Sequence, residues 1–362
     1  MRRPASPEPR DTGARIHGGP REHELAPLGL APQDVVDFSS CLNPYGPSRA
    51  VIDAVRAAPL ERYPDPTAHA ARVHLARALG VDAAEIVLGN GATELLWTLA
   101  HTLLRPGQTA AIVEPTFAEF RAAALATEAR VVEWRATAAG GFAVDLQPVA
   151  ALVRETRATV LSLCAPNNPT GVGVPIAGIA SLAAAHPGVS IVLDQAFLSL
   201  SEAFADASVR LPPNVLCVRS LTKEQAIPGV RVGYLLCRAE LAARVEACRA
   251  AWTTGAAAQA AAIAACGEPG ALAAARDTLF TDREWLRAEL CRLGLDPLPS
   301  TTIFFLVRIP DAEHVRRRLL ARHRILVRDC ASFGLGGFIR VAVRTRSDGE
   351  RLIAALAAEL PG

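Results

Sequence analysis

Along most of this chain, short apolar runs alternate with stretches whose apolar residues recur at helical spacing. Glu85 to Gly89 reads as a strand leading into a helix from about Thr93 to Leu104, and Thr109 to Val113 as a strand before a helix near Ala118 to Ala126. Arg130 to Trp134, Thr159 to Leu163, Ser190 to Asp194, Val215 to Arg219 and Val232 to Cys237 supply the remaining strands of this part. Apolar runs of this length, alternating with helices, predict a mostly parallel sheet with helices on both faces. After Trp252 the pattern changes. Two Ala-rich helical stretches lead to a strand over Thr302 to Ile309 and a helix near Ala312 to Arg322. Strands at Ile325 to Arg328 and Gly337 to Val343 follow, then a last helix from Asp348. That order predicts a smaller α+β domain, and no internal repeat is visible.

A length of 362 residues suits two domains better than one small core. The expected division is a tail at 1–15, an N-terminal segment at 16–45 packing with the small domain, a large domain at 46–252 and the small domain at 253–362. The tail is rich in Arg, Pro and Glu and lacks an apolar stretch, so it reads as disordered and not as a signal peptide. Formal net charge is +2 with both signs interspersed, which points to neither nucleic acid nor a membrane surface. The longest apolar runs are too short, or too broken by charge, to span a bilayer. Eight cysteines are scattered without a Cys-x-x-Cys pair or a matching histidine spacing, so neither a metal site nor a disulfide framework is expected. Reduced cysteines in a cytoplasmic protein fit this usage.

The chemistry concentrates where apolar runs end. Ser220-Leu221-Thr222-Lys223 closes the run Val215-Leu216-Cys217-Val218, and Arg231 follows eight residues after the lysine. A strand ending in a turn presents such an amine from a rigid edge, and lysine is the side chain that condenses with an aldehyde such as pyridoxal phosphate (PLP). Ser220 and Arg231 offer the hydroxyl and guanidinium that a phosphate tail needs. Ala165-Pro166-Asn167-Asn168-Pro169-Thr170-Gly171 and Ile191-Val192-Leu193-Asp194 likewise put polar groups at strand carboxyl ends, where open parallel sheets hold their ligands. Asp194 can pair with a protonated pyridine nitrogen, and Asn168 can donate its amide to a phenolic oxygen. Each has a plainer reading alone, because Asn-Asn-Pro-Thr-Gly makes a good turn and a strand-end Asp a good helix cap. Gly89-Asn90-Gly91-Ala92-Thr93-Glu94 joins a strand to a helix N-terminus, an anion site through free backbone amides, with Thr93 adding a hydroxyl. Arg340 stands inside the apolar strand Phe338 to Val343, where an unpaired charge is costly and a gripped carboxylate would account for it.

In order and spacing, Asn168, Asp194, Lys223 and Arg231 resemble the fold-type I PLP enzymes of the aminotransferase class I/II family. The resemblance implies an α/β fold with a mostly parallel central sheet in a large domain plus a smaller α+β domain. It implies PLP as cofactor, held by Gly91, Ala92, Thr93, Phe117, Asn168, Asp194, Ser220, Lys223 and Arg231, with no metal. Phe117 alone reads as core; in the family an aromatic there stacks on the pyridine ring. Lys223 and Asp194 would be the catalytic pair. His17-Gly18-Gly19, Asp37 to Gly46, Glu61 to Asp65, Arg324 to Cys330 and Arg340 to Arg344 resemble the threonine-phosphate decarboxylase branch of the histidinol-phosphate aminotransferase group. This match covers essentially everything after about Arg15. It implies decarboxylation of L-threonine O-3-phosphate to (R)-1-amino-2-propanol O-2-phosphate and CO2 in cobalamin biosynthesis. The alternative is transamination of histidinol phosphate or another amino acid. A third reading, a protein of this fold without turnover, is opposed by the intact Lys223, Asp194 and Arg231.

The implied substrate is a small phosphorylated amino acid, with Arg340 on the carboxylate and His17, Arg328 and Arg344 on the phosphate. By residue type alone, His17 could be a loose terminal histidine and Arg344 half of a surface ion pair. The implied assembly is a homodimer in which Tyr63, and Asn43-Pro44-Tyr45 with Asn43 near the substrate, reach the neighbour's site. Three departures from the family pattern stand out. Glu224 and Gln225 follow the lysine where aromatic residues are common, Gln195 follows Asp194 where Glu is usual, and Cys41 stands where related decarboxylases tend to carry Asn.

Overall fold

The computed structural model describes residues 16–267 and 269–360, so the expected tail at 1–15 lies outside the described residues. In chain order the first strands are β1 (Val36–Asp37), β2 (Ile86–Gly89), β3 (Thr109–Glu114), β4 (Arg130–Arg135), β5 (Val160–Cys164) and β6 (Ser190–Asp194). They continue with β7 (Val215–Ser220), β8 (Gly233–Leu236), β9 (Asp296–Pro297), β10 (Phe304–Arg308), β11 (Ile325–Leu326), β12 (Arg328–Asp329) and β13 (Phe338–Ala342). A seven-stranded sheet with the order β2-β8-β7-β6-β5-β3-β4 forms the centre. Its β4-β3-β5-β6-β7 portion is parallel throughout.

Successive side chains of these strands point to opposite faces, and both faces are dry. Ile112, Val160, Val192, Leu216 and Val218 join one core cluster with residues of the helices Gly91–Leu103, Glu119–Ala126 and Ala239–Ala247. Val113, Leu161, Leu193 and Cys217 join the other, under the helices Leu146–Thr156 and Ile176–Ala185. Cover on both sides is why the strands read as unbroken apolar runs with no polar alternation.

Strand β8 differs from its parallel neighbours. It runs antiparallel to both β7 and β2. The link from β7 carries only the one-turn helix Leu221–Glu224 and a turn, too little to return along the sheet for a parallel crossover. That short link is also what keeps Lys223 and Arg231 together at one end of the sheet.

A second sheet, β12-β13-β10-β9, is antiparallel. Ile339 and Val341 of β13, with Phe305 and Val307 of β10, enter the core shared with the helices Pro269–Arg292, Ala312–His323 and Arg346–Glu359. The expected strand Ile325 to Arg328 divides in two. Its first half, β11, pairs in parallel with β1, while β12 pairs with β13. The last helix starts two residues earlier than its expected start at Asp348, because the Thr345 side chain caps it by accepting the Asp348 backbone N–H at 3.3 Å. Residues 38–43 tie the two sheets together. Ala342 donates its backbone N–H to the Phe38 carbonyl, and Asn43 donates to the carbonyl of Lys223. No helix among the described residues is long and apolar enough to cross a membrane.

Candidate active site

The strand ladder decides which residues meet at the carboxyl edge of the large sheet. Cys164 pairs with Asp194 and Asp194 with Val218, while Ser220 pairs with Gly233 and Gly233 with Gly89. A cavity of about 320 Å³ opens there. Its wall brings together Asn168, Asp194, Ser220, Lys223 and Arg231 from this sheet, Ala92, Thr93 and Phe117 from the helix entries, Arg328 and Arg340 from the small sheet, and His17 from the N-terminal segment.

Lys223 is half-buried on the one-turn helix, its Nζ 5.7 Å from the centre of the Phe197 ring. Burial, helped by the positive charges of Arg340 and Arg231, lowers its pKa, while Cys41 and Asp194 oppose the shift. A lowered pKa leaves more free amine for attack on a carbonyl. Lys223 is also the sole lysine of the chain, every other Lys/Arg position being arginine. That compositional signal stands in the sequence itself and singles out the residue without any motif. Asp194 is buried, and its Oδ1 accepts the Ala196 backbone N–H at 2.9 Å. Burial pushes its carboxyl up to about 6. An acid held this way at a cavity wall is suited to a cationic N–H donor such as a protonated pyridine.

The other end of this edge fits a phosphate. Gly91 has φ +79°, and a Cβ there would stand 2.4 Å from Nη2 of Arg231. Only glycine lets the guanidinium approach the first turn of the helix Gly91–Leu103 so closely. The Ser220 and Thr222 hydroxyls lie 2.7 Å apart on the same wall. Thr222 also lines this wall, and its place two positions after Ser220 at the start of a helical turn is a signal readable in the sequence. Gly233 is packed just as tightly, since a Cβ would come within 2.7 Å of the Arg219 carbonyl and 2.8 Å of the Ala92 nitrogen.

Across the cavity, Arg328 and Arg340 are direct partners in the β12–β13 ladder. Like charges opposite each other in a sheet repel, and both guanidinium groups are buried. Arg340 donates to the Asn168 side-chain oxygen and, at 2.6 Å, to the Ser39 carbonyl; its Nε is buried without a hydrogen-bond partner among the described residues. Arg328 donates from Nη2 to the Ile16 carbonyl and the Ser332 hydroxyl, both at 2.6 Å, and from Nη1 to the Asp329 carbonyl. Burial first, and Arg340 second, bring its pKa down to about 10. Two buried cations with neutral partners make an anion-binding wall. His17 reaches the same space with its ring 5.4 Å from that of Phe117, not loose as a terminal histidine could be.

Four expected site residues do not line this cavity; Gly91 stands behind the Arg231 guanidinium, and the other three lie elsewhere. Arg344 pairs with Asp348 at 2.9 Å and donates to the Asp37 carbonyl, the ion-pair alternative that its residue type left open. Asn43 is buried, but its side chain holds backbone, donating to the Glu224 carbonyl and accepting from the Tyr45 N–H. Tyr63 is 78% exposed, and its ring leans on Trp252 with centroids 4.7 Å apart. Of the departures, Gln195 accepts from Nε of Arg219 at 3.0 Å, and Cys41 is buried at the cavity wall with its thiol pushed up by that burial.

Residues 33–356 match the family described as aminotransferase class I and II. The chain is 35% identical to histidinol-phosphate aminotransferase 1 of Thiobacillus denitrificans, over 94% of this chain and 89% of that protein. It is 33% identical to the threonine-phosphate decarboxylase of Salmonella typhimurium, over 96% of this chain and 97% of that protein. Among solved structures it resembles the histidinol-phosphate aminotransferase of Sinorhizobium meliloti in complex with pyridoxal-5'-phosphate, with a TM-score of 0.84, 25% identity and 98% of each chain covered. The chain belongs to the aminotransferase class I and II family.

The raised carboxyl of Asp194 has a measurable consequence in protein stripped of small molecules. A carboxyl whose pKa rises from 3.8 in the unfolded chain to about 6 on folding favours the fold at low pH, and that advantage is lost as pH climbs through about 6. Asp194→Asn should therefore unfold with a free energy higher than wild type by on the order of 3 kcal/mol at pH 8. The gap should close below pH 4 in denaturant titrations; equal stability at both pH values would contradict the burial argument.

Proposed function

We propose that this member of the aminotransferase class I and II family decarboxylates L-threonine O-3-phosphate to (R)-1-amino-2-propanol O-2-phosphate and CO2, a step of cobalamin biosynthesis. The cofactor is pyridoxal 5'-phosphate, and the residues present fit it. The Gly91 cradle, Thr93, Ser220 and Arg231 would hold its phosphate, Phe117 would cover its ring, and Asn168 would donate to its phenolic oxygen. Asp194 would keep a proton on the ring nitrogen, and Lys223 would anchor the aldehyde through Nζ. When bound, this group supplies an electron sink conjugated to the substrate's α-carbon.

Which reaction follows would be chosen by the residues that orient the substrate against that group. Arg340 would grip the substrate's carboxylate and fix its orientation in the cavity. Lys223 Nζ, at the cavity wall, would return a proton to the α-carbon. The observation that carries the reading is the Arg328–Arg340 pair on one wall. Threonine phosphate has two anionic ends, a carboxylate and a phosphate, one for each guanidinium, with His17 beside the phosphate.

The second reading is transamination of histidinol phosphate, favoured by the likeness to enzymes of that name. Histidinol phosphate has no carboxylate, so Arg340 would then serve the amino-group acceptor. Incubation with L-threonine O-3-phosphate and no keto acid separates the two, because only the decarboxylase releases CO2 without an acceptor. In that assay Arg328→Ala should lower turnover of threonine phosphate on the order of a hundredfold while barely changing binding of unphosphorylated threonine. Arg340→Ala should weaken both. An acceptor requirement, or an unchanged preference for the phosphorylated ligand in Arg328→Ala, would favour the aminotransferase.

The reading includes a homodimer with shared sites. Tyr63 lies outside the cavity of its own chain beside the half-exposed Trp252, and Leu60 in the same loop is 91% exposed. An apolar, aromatic surface of this kind suits a twofold contact through which Tyr63 would reach the neighbour's cofactor phosphate. Mixing Tyr63→Phe subunits with Lys223→Ala subunits should then regain activity that neither homodimer has in full. A fully active monomer would refute it.

A further inference from the structure

Behind His17 stands a buried carboxylate that none of the roles above uses. Glu119, the first residue of the helix Glu119–Ala126, is almost wholly buried. Its Oε2 accepts the indole N–H of Trp97 at 2.7 Å, and its Oε1 lies 2.9 Å from Nε2 of His17. The indole bond fixes the carboxylate, and the carboxylate fixes the imidazole. Backbone contacts hold the same segment in place. Arg21 donates to the His17 carbonyl at 2.8 Å, Gly19 donates to the Ser39 hydroxyl at 2.7 Å, and Arg328 takes the Ile16 carbonyl. A Cβ at Gly18 would come within 2.3 Å of the Ser39 carbonyl, so the segment lies tight against residues 39–40. With Nε2 engaged, the remaining ring nitrogen of His17, Nδ1, makes no hydrogen bond among the described residues, while the residue lines the cavity.

We propose that Glu119 is a positioning residue for the substrate's phosphate, holding His17 by Nε2 so that Nδ1 addresses the phosphate beside Arg328. The inference rests on the phosphorylated-substrate reading above. Its physical basis is general to histidine, since the bond made by one ring nitrogen sets the aim of the other. With Nε2–H given to Glu119, Nδ1 can donate to a phosphate only when it too carries a proton, and the carboxylate behind the ring balances that second proton. The ring stands between the two anions, so neither faces the other directly. The other charged groups on the wall, Asp194, Lys223, Arg231, Arg328 and Arg340, lie on other elements and leave Glu119 as the ion-pair partner of His17.

The test uses the holoenzyme, with ligand binding followed by the change in cofactor absorption for L-threonine O-3-phosphate and, separately, for L-threonine. Glu119→Gln keeps the shape and removes the charge. It should weaken the phosphorylated ligand about tenfold and L-threonine less than about twofold. Trp97→Phe, a milder change that removes the indole donor from Oε2, should move the same preference in the same direction. In a His17→Asn background, Glu119→Gln should add no further loss, because it acts through the ring. Equal weakening of both ligands, or full additivity with His17→Asn, would overturn the proposal and reduce the ion pair to a latch on the N-terminal segment. A different failure, in which neither His17→Asn nor Arg328→Ala alters the preference for the phosphorylated ligand, would remove the phosphate reading itself and the proposal with it.

Discussion

The rest of the structure depends on the hydrogen-bonded register of the central sheet at its carboxyl edge. Cys164, Asp194 and Val218 lie in one row of the ladder, and Gly89, Gly233 and Ser220 in another. A one-residue slip in any of these pairings would turn Asp194 or Ser220 to the opposite face of the sheet. The register is held by apolar packing on both faces, so the polar ends of the strands are aimed without stabilising the site themselves. Placement at this edge then fixes the chemistry. Lys223 sits one turn beyond β7, and the brief return into β8 brings Arg231 back to the same corner.

Electrostatics at this edge are asymmetric, and the asymmetry carries the function. Burial raises the carboxyl of Asp194 and lowers the amine of Lys223, so both are drawn toward their neutral forms until a ligand supplies the missing partner. On the opposite wall two buried guanidinium groups face each other across a ladder rung with carbonyl, hydroxyl and amide oxygens as partners. Such a wall has a standing repulsion that a doubly anionic ligand would relieve. The N-terminal segment completes the enclosure by giving the Ile16 carbonyl to Arg328 and the His17 ring to Glu119.

Much of this was legible in the sequence because it is local. Buried parallel strands announce themselves as apolar runs, and the groups that end them, Asn168, Asp194 and Lys223, stand at the cavity wall. Pairings between distant segments were not legible. Nothing in the run from Arg324 to Asp329 tells that Ile325 pairs with Val36 while Arg328 pairs with Arg340, since register is set by partners far along the chain. For the same reason Arg344, which shares the alternation of Arg340 and Ala342, looked equivalent to Arg340 and yet pairs with Asp348 outside the cavity. Glu119 gave no signal either, because a carboxylate opening a helix is ordinary until His17 and Trp97 are found against it.

The central claim is that the amine of Lys223 holds the aldehyde of the cofactor, and the composition of the chain makes it unusually direct to test. With one lysine there is one ε-amine to find. Borohydride treatment of the holoenzyme, followed by peptide mass mapping, should fix the cofactor irreversibly to the peptide containing Lys223, and Lys223→Arg protein should take no label. A cofactor that dialyses away unlabelled after reduction, or a label confined to the chain's α-amino group, would contradict the account.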